Sequence, residues 1–466
     1  MLDVPNFDAA LLRRHDRPGP RYTSYPSAPQ FTPDFGDAQL IECARLTNAP
    51  LIRRPLSLYL HIPYCFSPCF YCGCNRVITR DTTRGTRYAE RLRGEIERMA
   101  QLFDGGRGVV QLHLGGGTPN FLGAETLARL IEGVGGRFRL SAAPDRDFSI
   151  ELDPRSVPPG YAAFLAQLGF NRVSLGVQDF DPAVQRAINR LQSLEQTLDL
   201  IDECRDSGFR SLNIDLIYGL PQQTLKGFER SLRLVVSARP DRVAVYGYAH
   251  LPKLFKAQRH IDGNALPTPE ARLDLLRLAI DELCASGYRY IGMDHFALPD
   301  DELVRAQEAD SLQRNFMGYT THAECDLLGM GVSAISHIGD SFSQNFRDLK
   351  AWERAVDGGR IPLWRGKALS ADDRVRGAVI GQLMCRGRID IAALERRHGI
   401  DFTAYFHDAL ERLQPHVADG LVQFEPGRLV VTPVGRLLLR SIAMCFDAYL
   451  SAPPAGSEAP TFSKLV

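Results

Sequence analysis

From Leu56 onward the apolar positions fall into short β-rich runs, separated by longer amphipathic stretches. The runs occupy residues 56–62, 109–114, 148–152, 172–177, 212–217 and 242–248. Helical spacing fills the gaps, for example over 88–103 and 124–130. Six strand–helix repeats in series predict a parallel sheet, because parallel neighbours need crossover helices. The chain therefore reads as α/β, with a partial (β/α)6 barrel over residues 51–300. In such a fold functional groups belong at the carboxyl ends of the strands.

The flanks follow other patterns. Residues 1–50 are punctuated by Pro and Tyr, as in Pro20-Arg21-Tyr22-Thr23-Ser24-Tyr25-Pro26, and read as an extended N-terminal arm. A helix over 269–286 leads to an apolar run at 288–296. Residues 301–365 are turn-rich and weakly periodic, as expected of a connecting segment packed on the barrel mouth. Residues 366–466 turn helical and include a hairpin, 421–424 with 428–432, around Glu425-Pro426-Gly427. That order resembles a winged helix. Its strands carry few basic residues, so a packing or covering role is favoured over DNA binding.

Composition narrows the classes. At 466 residues and 44% hydrophobic content the chain can bury two or three structural units. Acidic and basic residues balance at 55 each, which leaves no electrostatic footprint for nucleic acid or anionic lipid. There is no run of about 18 apolar residues to span a membrane. Residues 1–16 lack the apolar core of a signal peptide. A soluble, cytoplasmic protein is expected. Of ten cysteines, Cys43, Cys204, Cys284, Cys325, Cys385 and Cys445 are scattered and read as small buried hydrophobes. Cys65, Cys69, Cys72 and Cys74 crowd into ten residues, which in a reducing compartment suggests metal rather than disulfides.

The cysteine cluster follows the first strand, and Gly115-Gly116-Gly117-Thr118-Pro119 follows the second. Glu151 and Asp153 end the third strand, Gln178 and Asp179 the fourth, Asp215 lies near the end of the fifth, and 246–250 follow the sixth. Polar groups and glycines thus gather on one rim. The spacing C-x3-C-x2-C lets one loop wrap three thiolates around three corners of a cuboidal cluster. Three ligands for four irons leave one iron open, and an open position is reactive. A structural zinc site usually joins two distant ligand pairs, and no second pair follows here. Tyr64, Phe66, Phe70 and Tyr71 flank the cysteines and would shield a cluster from water.

This loop, with Tyr71 just before its third cysteine, resembles the radical S-adenosylmethionine superfamily. Further motifs are similar to the bacterial oxygen-independent coproporphyrinogen III dehydrogenase family. They include residues 21–26, Cys72-Gly73-Cys74-Asn75, Gly176-Val177-Gln178-Asp179-Phe180, residues 213–221, Tyr248-Ala249-His250-Leu251-Pro252, Gly292-Met293-Asp294-His295-Phe296, residues 329–336 and Met444-Cys445-Phe446-Asp447. The resemblance implies one [4Fe–4S] cluster on Cys65, Cys69 and Cys72. It implies two S-adenosylmethionine molecules, the first at Tyr59, Tyr71, Gly116 and Glu151. The second falls at Gly117, Thr118, Gln178, Arg190, Asp215, Ala249 and Ile335. It further implies oxidative decarboxylation of two propionates of coproporphyrinogen III to vinyl groups, yielding protoporphyrinogen IX for haem synthesis. A flavodoxin or ferredoxin would be the reductant and the protein a monomer. Cys74, Arg21, Tyr22 and His61 are catalytic or substrate-side candidates. Haem-handling relatives of this family generally lack the N-terminal motif and the cysteine at Cys74, and both are present here.

Overall fold

The computed structural model describes residues 5–322, 324–451 and 462–464. The outermost ends of the expected arm and C-terminal domain lie outside the described residues. All six runs form strands: β1 (Leu56–Ile62), β2 (Gly108–Gly116), β3 (Asp147–Leu152), β4 (Arg172–Gln178), β5 (Ser211–Tyr218) and β6 (Arg242–Gly247). They lie side by side in chain order, every pair parallel. The connections carry α1 (Thr83–Ala100), α2 (Ala124–Gly135), α3 (Tyr161–Gln167), α4 (Leu194–Asp206) and α5 (Leu225–Ala238). This is the partial-barrel arrangement that strand–helix alternation requires.

The local reasons are visible in single residues. Leu56, Leu58, Leu60 and Ile62 are fully buried along β1. In α1, Tyr88, Leu92, Ile96 and Met99 recur at helical spacing and form its buried face. Side-chain caps start two of the helices. The Ser193 hydroxyl accepts from the Gln196 N–H at α4, and Thr224 accepts from the Gly227 N–H at α5.

Two expectations are corrected. The segment after residue 301 is not merely a turn-rich connection. Its second half supplies β7 (Asp326–Met330), which pairs in parallel with β1 on the side away from β2. The sheet then continues antiparallel through β8 (Ile335–Ile338), β9 (Ser341–Asn345) and β10 (Leu363–Ala368). Every residue of β7 and β9 is buried, so these short strands show no inside–outside alternation to betray them. Asp326 pairs with Arg107 in the interior, their side chains 2% and 0% exposed.

The N-terminal arm is likewise not extended throughout. It contains helices at Ala9–His15 and Asp37–Asn48. Asp8 caps the first by accepting from the N–H groups of Ala10 and Leu11, and Leu40 and Ala44 bury one face of the second. The prolines at 5, 18, 20, 26, 29 and 33 all fall outside these helices, so their density marks the links rather than the whole arm.

The chain divides into two compact units, one of residues 31–268 with 324–368, the other of residues 1–30, 269–323 and 369–466. The sheet described above belongs to the first of these. The other unit contains a helix at Pro269–Ala285 and the antiparallel pair Arg289–Gly292 with His295–Ala297. It also holds the helices Ala371–Arg386, Ile391–His398 and His407–Ala418, and a small sheet in which Arg428–Val431 lies between Arg388–Asp390 and Val422–Glu425. The expected hairpin is there, with Gly427 at φ 72° making the tight turn. The first of its three strands, at 388–390, escapes the sequence pattern. Among the described residues no helix is long and apolar enough to cross a membrane.

Candidate active site

The cysteine loop leaves the carboxyl end of β1 and is tied shut at its base. Tyr64–Cys65 pairs in parallel with Val77–Ile78. The Val77 N–H donates to the Pro63 carbonyl at 2.6 Å and the Thr79 N–H to the Cys65 carbonyl at 3.0 Å. His61, two residues before Pro63 on β1, braces the loop from inside. Its Nε2 lies 3.0 Å from the Asn75 carbonyl and its Nδ1 3.0 Å from the Tyr59 hydroxyl. A carbonyl only accepts, so Nε2 carries the proton and Nδ1 accepts from the phenol. Burial pushes His61 below its usual value, which keeps the ring neutral. The outer turn is pinned as well. The Phe70 N–H donates to Ile188, Asn189 Nδ2 to the Pro68 carbonyl, and Gln258 Nε2 to the Tyr71 carbonyl, at 2.7–2.9 Å.

None of these cysteines is in a disulfide. Each of the three sulfurs at C-x3-C-x2-C has a donor of its own. Thr118 Oγ1 lies 3.3 Å from Cys65 Sγ, and the Cys74 N–H lies 3.4 Å from Cys72 Sγ. Arg155 and Arg190 each lie 3.5 Å from Cys69 Sγ. Donors converging on sulfur are what a thiolate ligand takes and what a buried apolar thiol lacks. A hydrogen bond from Cys74 brings Cys72 down to about 6 and raises Cys74 itself.

The four cysteines line one cavity of about 350 Å³. Tyr71 of the same loop lines it too, with Gly116, Gly117, Thr118, Glu151, Gln178, Arg190 and Asp215, drawn from the carboxyl ends of β2 to β5 and the turn before α4. Three of the residues expected to contact S-adenosylmethionine do not line it, and neither does His61. Tyr59 stands beneath, its ring stacked on His113 at 5.8 Å. The Ala249 carbonyl accepts from Gln258 Nε2 at 3.1 Å, and Ile335 opens β8. Arg21 and Tyr22 belong to the other unit. There Arg21 pairs with Asp294, and buried Tyr22 donates to Asp447 at 2.9 Å.

The glycine run is a steric requirement. A Cβ on Gly115 would stand 2.9 Å from the Glu151 carboxyl, and one on Gly117 2.7 Å from the Pro63 carbonyl carbon. At Gly116, φ is 112° and a Cβ would meet the His61 ring at 2.5 Å. The backbone of β2 can therefore form a cavity wall only as glycine.

The acids are tuned apart. Burial raises Glu151, but the His113 ring and the Gly116 N–H outweigh it and hold the carboxylate below its usual range. Burial and the charge of Glu151 push Asp215 up to about 6, against donors from Ser174 at 3.0 Å and Asn213 at 2.9 Å. Asp153 is held low against burial by Arg190 and Arg155. Asp179 points away from this chemistry. It accepts from Ser231, Gln223 and the Asp181 N–H and braces the turn after β4.

Asp153, Arg155, Ser174 and Arg76 also line the cavity. Sequence reasoning noted Asp153 only as a strand end and passed over the other three. The signal was present in part, since Arg155 follows Asp153 by two residues and Arg76 follows Cys74 by two.

The donor set suits an iron–sulfur cluster: soft thiols of one short loop converge on one cavity, and three of the sulfurs have hydrogen-bond donors of their own. Arg190 adds an unspent donor, because its buried Nε has no partner among the described residues.

A cysteine loop after the first parallel strand, facing a glycine wall after the second, is the arrangement of a radical S-adenosylmethionine enzyme. The model of that superfamily matches residues 59–235, and a model described as the HemN C-terminal domain matches residues 369–438. Members of the superfamily use S-adenosylmethionine with an iron–sulfur cluster. The chain is 47% identical to an oxygen-independent coproporphyrinogen III oxidase of Pseudomonas aeruginosa, over 97% of each chain. It is 47% identical to the enzyme of that name from Escherichia coli, over 96% of each. A solved structure described as coproporphyrinogen III oxidase (HemN) from Escherichia coli, a radical SAM enzyme, superposes with a TM-score of 0.91 at 46% identity. It covers 96% of this chain and all of that one. The chain belongs to the oxygen-independent coproporphyrinogen III oxidase family, which is the family its motifs resemble under the name dehydrogenase.

Proposed function

We propose that this protein carries out the oxidative decarboxylation of two propionate side chains of coproporphyrinogen III, giving the two vinyl groups of protoporphyrinogen IX. The observation that carries the reading is the 47% identity to a coproporphyrinogen III oxidase over 97% of the chain. In each half-reaction one hydrogen atom leaves the propionate carbon next to the ring, one electron passes to an acceptor, and carbon dioxide departs. That C–H bond is too weakly acidic for a side-chain base, so the fold's task is placement and exclusion.

Cys65, Cys69 and Cys72 would hold three irons of a [4Fe–4S] cluster, leaving the fourth for S-adenosylmethionine. Together these groups supply an electron and a 5′-deoxyadenosyl radical able to take a hydrogen atom from carbon. Glu151, kept ionised by His113 and Gly116, suits the amino group or ribose hydroxyls of a first S-adenosylmethionine beside Tyr59, Tyr71 and Gly116. Arg190, with its spare Nε, suits the carboxylate of a second, alongside Gly117, Thr118, Gln178 and Asp215. Asp215, pushed up to about 6, can offer a hydroxyl as well as accept. Ala249 and Ile335 belong to the same expected set. The Cys74 thiol lies in the cavity wall and is a candidate to face substrate. His61, through its hydrogen bonds with Tyr59 and the Asn75 carbonyl, would hold the cluster loop in shape. Arg21 is the candidate for a substrate carboxylate, and Tyr22 for packing the segment that bears it. The one-electron donor would be a flavodoxin or ferredoxin, and the protein a cytoplasmic monomer.

The test is anaerobic. The protein is reconstituted with iron and sulfide and given coproporphyrinogen III, S-adenosylmethionine, a reductant and an electron acceptor. Mass analysis of the tetrapyrroles should show loss of two carboxyl groups, with 5′-deoxyadenosine formed. Deoxyadenosine without any change in the porphyrinogen would move the protein to the haem-handling relatives.

A further inference from the structure

Cys69 differs from the other two cysteines of the motif in what faces its sulfur. Cys65 receives a neutral hydroxyl, and Cys72 a backbone N–H and the single guanidinium of Arg76. Cys69 receives two guanidinium groups, from Arg155 Nη2 and Arg190 Nη1, each at 3.5 Å. Both are fixed by one carboxylate. Asp153 accepts from Arg155 Nη2 at 2.6 Å and Nε at 2.9 Å, and from Arg190 Nη2 at 3.2 Å and Nη1 at 3.3 Å. The Gly176 carbonyl takes a further bond from Arg190. Side-chain exposures are 13% for Asp153, 18% for Arg155 and 6% for Arg190. Two cations set against one anion leave a net positive charge beside this sulfur, in a place where water screens little.

Arg190 has an expected duty toward S-adenosylmethionine, and Arg155 has none. We infer that Arg155 is a positioning residue that sets the reduction potential of the cluster. Held by Asp153, it presents a fixed cationic donor to Cys69 and makes the cluster easier to reduce. The physical basis is general. Hydrogen bonds and positive charge at cysteine sulfur stabilise the reduced, more negative cluster over the oxidised one. The step concerned is the uptake of one electron from an external reductant, with no bond made or broken. The inference rests on the reading that Cys69 is a cluster ligand.

The experiment is an anaerobic potentiometric titration of the reconstituted full chain with dithionite and mediators, without S-adenosylmethionine. The reduced cluster is followed by electron paramagnetic resonance, and iron and sulfide are measured in parallel. Arg155→Met, with iron content like the parent, should lower the midpoint by about tenfold in the one-electron equilibrium, about 59 mV. Arg155→Lys, which keeps the charge but not the fork, should fall between. An unchanged midpoint in Arg155→Met at full cluster content would overturn the inference, because a residue serving only S-adenosylmethionine would leave this titration alone. Should Arg155→Met fail to hold a cluster, Arg155→Gln replaces it in the same titration, with the same result required. Cys69→Ala separates the two layers of the reading. If that variant keeps the parent's cluster and spectrum, the ligand assignment itself has failed, whatever Arg155 does.

Discussion

At the scale of single residues, the cavity is defined by groups that admit no near substitute. Gly116 combines φ 112° with a Cβ position 2.5 Å from His61. Gly116→Ala must therefore displace the ring that braces Asn75, and the loop with it. The expected result is a folded protein that retains several-fold less iron and sulfide after reconstitution, measured against the parent. Asp215 gives a pH signature. Burial and the charge of Glu151 lift it from the usual 3.8 of an aspartate to about 6 in the folded protein. A carboxyl raised in this way favours the folded state fully below the unfolded value, and that advantage is lost as pH rises through the folded one. The gap corresponds to at most about 3 kcal/mol, less what water in the cavity screens. Asp215→Asn in the cluster-free protein should accordingly raise the unfolding temperature at pH 8 and leave it nearly unchanged at pH 4, as thermal denaturation would show. The same change should weaken S-adenosylmethionine binding, read by calorimetry on the reconstituted protein. Much of this site was legible beforehand. Cysteine spacing, the glycine run and strand-end acids are local signals, and eight of the eleven residues expected to contact S-adenosylmethionine line the cavity. Ser174 was not legible and Arg155 only by its place beside Asp153, because their meaning lies in what they touch: Asp215 for one, a sulfur 86 positions away for the other.

At the scale of elements, the polar anchor between α1 and the segment after β7 deserves weight. Glu95 lies on the buried side of α1 and accepts three hydrogen bonds. They come from the Gly331 N–H at 3.0 Å, Asn345 Nδ2 at 2.6 Å and Trp352 Nε1 at 2.9 Å. Burial nonetheless pushes its carboxyl up to about 7. Glu95→Ala would strand all three donors in the interior, and leaving even one buried donor unpaired costs about 1–3 kcal/mol. A loss of roughly 3 kcal/mol is expected in a denaturant titration, together with early protease cleavage near residue 331. Nothing in the sequence singles out Glu95, since partners 236 to 257 residues downstream leave no mark on the local pattern. The same blindness hid β7, a strand of buried residues whose partner β1 begins 270 positions earlier. Strands β1 to β6 were recovered to within a residue or two because β1 to β5 are each followed by a crossover helix, so that two periods alternate. The helices at Ala9–His15 and Asp37–Asn48 were missed for the opposite reason, as dense prolines between them dominate the local reading.

At the scale of the whole molecule, one of the two compact units contains every residue that lines the cavity. The other unit holds Arg21, paired with Asp294, and the small three-stranded sheet that matches the HemN C-terminal domain model. Sequence reading placed the unit boundaries linearly along the chain, whereas the structure assembles each unit from separated stretches. A strand added late to an early sheet makes this unavoidable. The chemistry proposed for the chain has a direct signature in the movement of one atom. Coproporphyrinogen III carrying deuterium on the propionate carbons next to the ring is incubated anaerobically with the reconstituted protein, S-adenosylmethionine, a reductant and an electron acceptor. Mass analysis then follows both products. Deuterium should appear in 5′-deoxyadenosine as the tetrapyrrole loses carboxyl groups, and both signals should vanish in Cys69→Ala. Deoxyadenosine free of deuterium beside an intact tetrapyrrole would contradict hydrogen abstraction from this substrate.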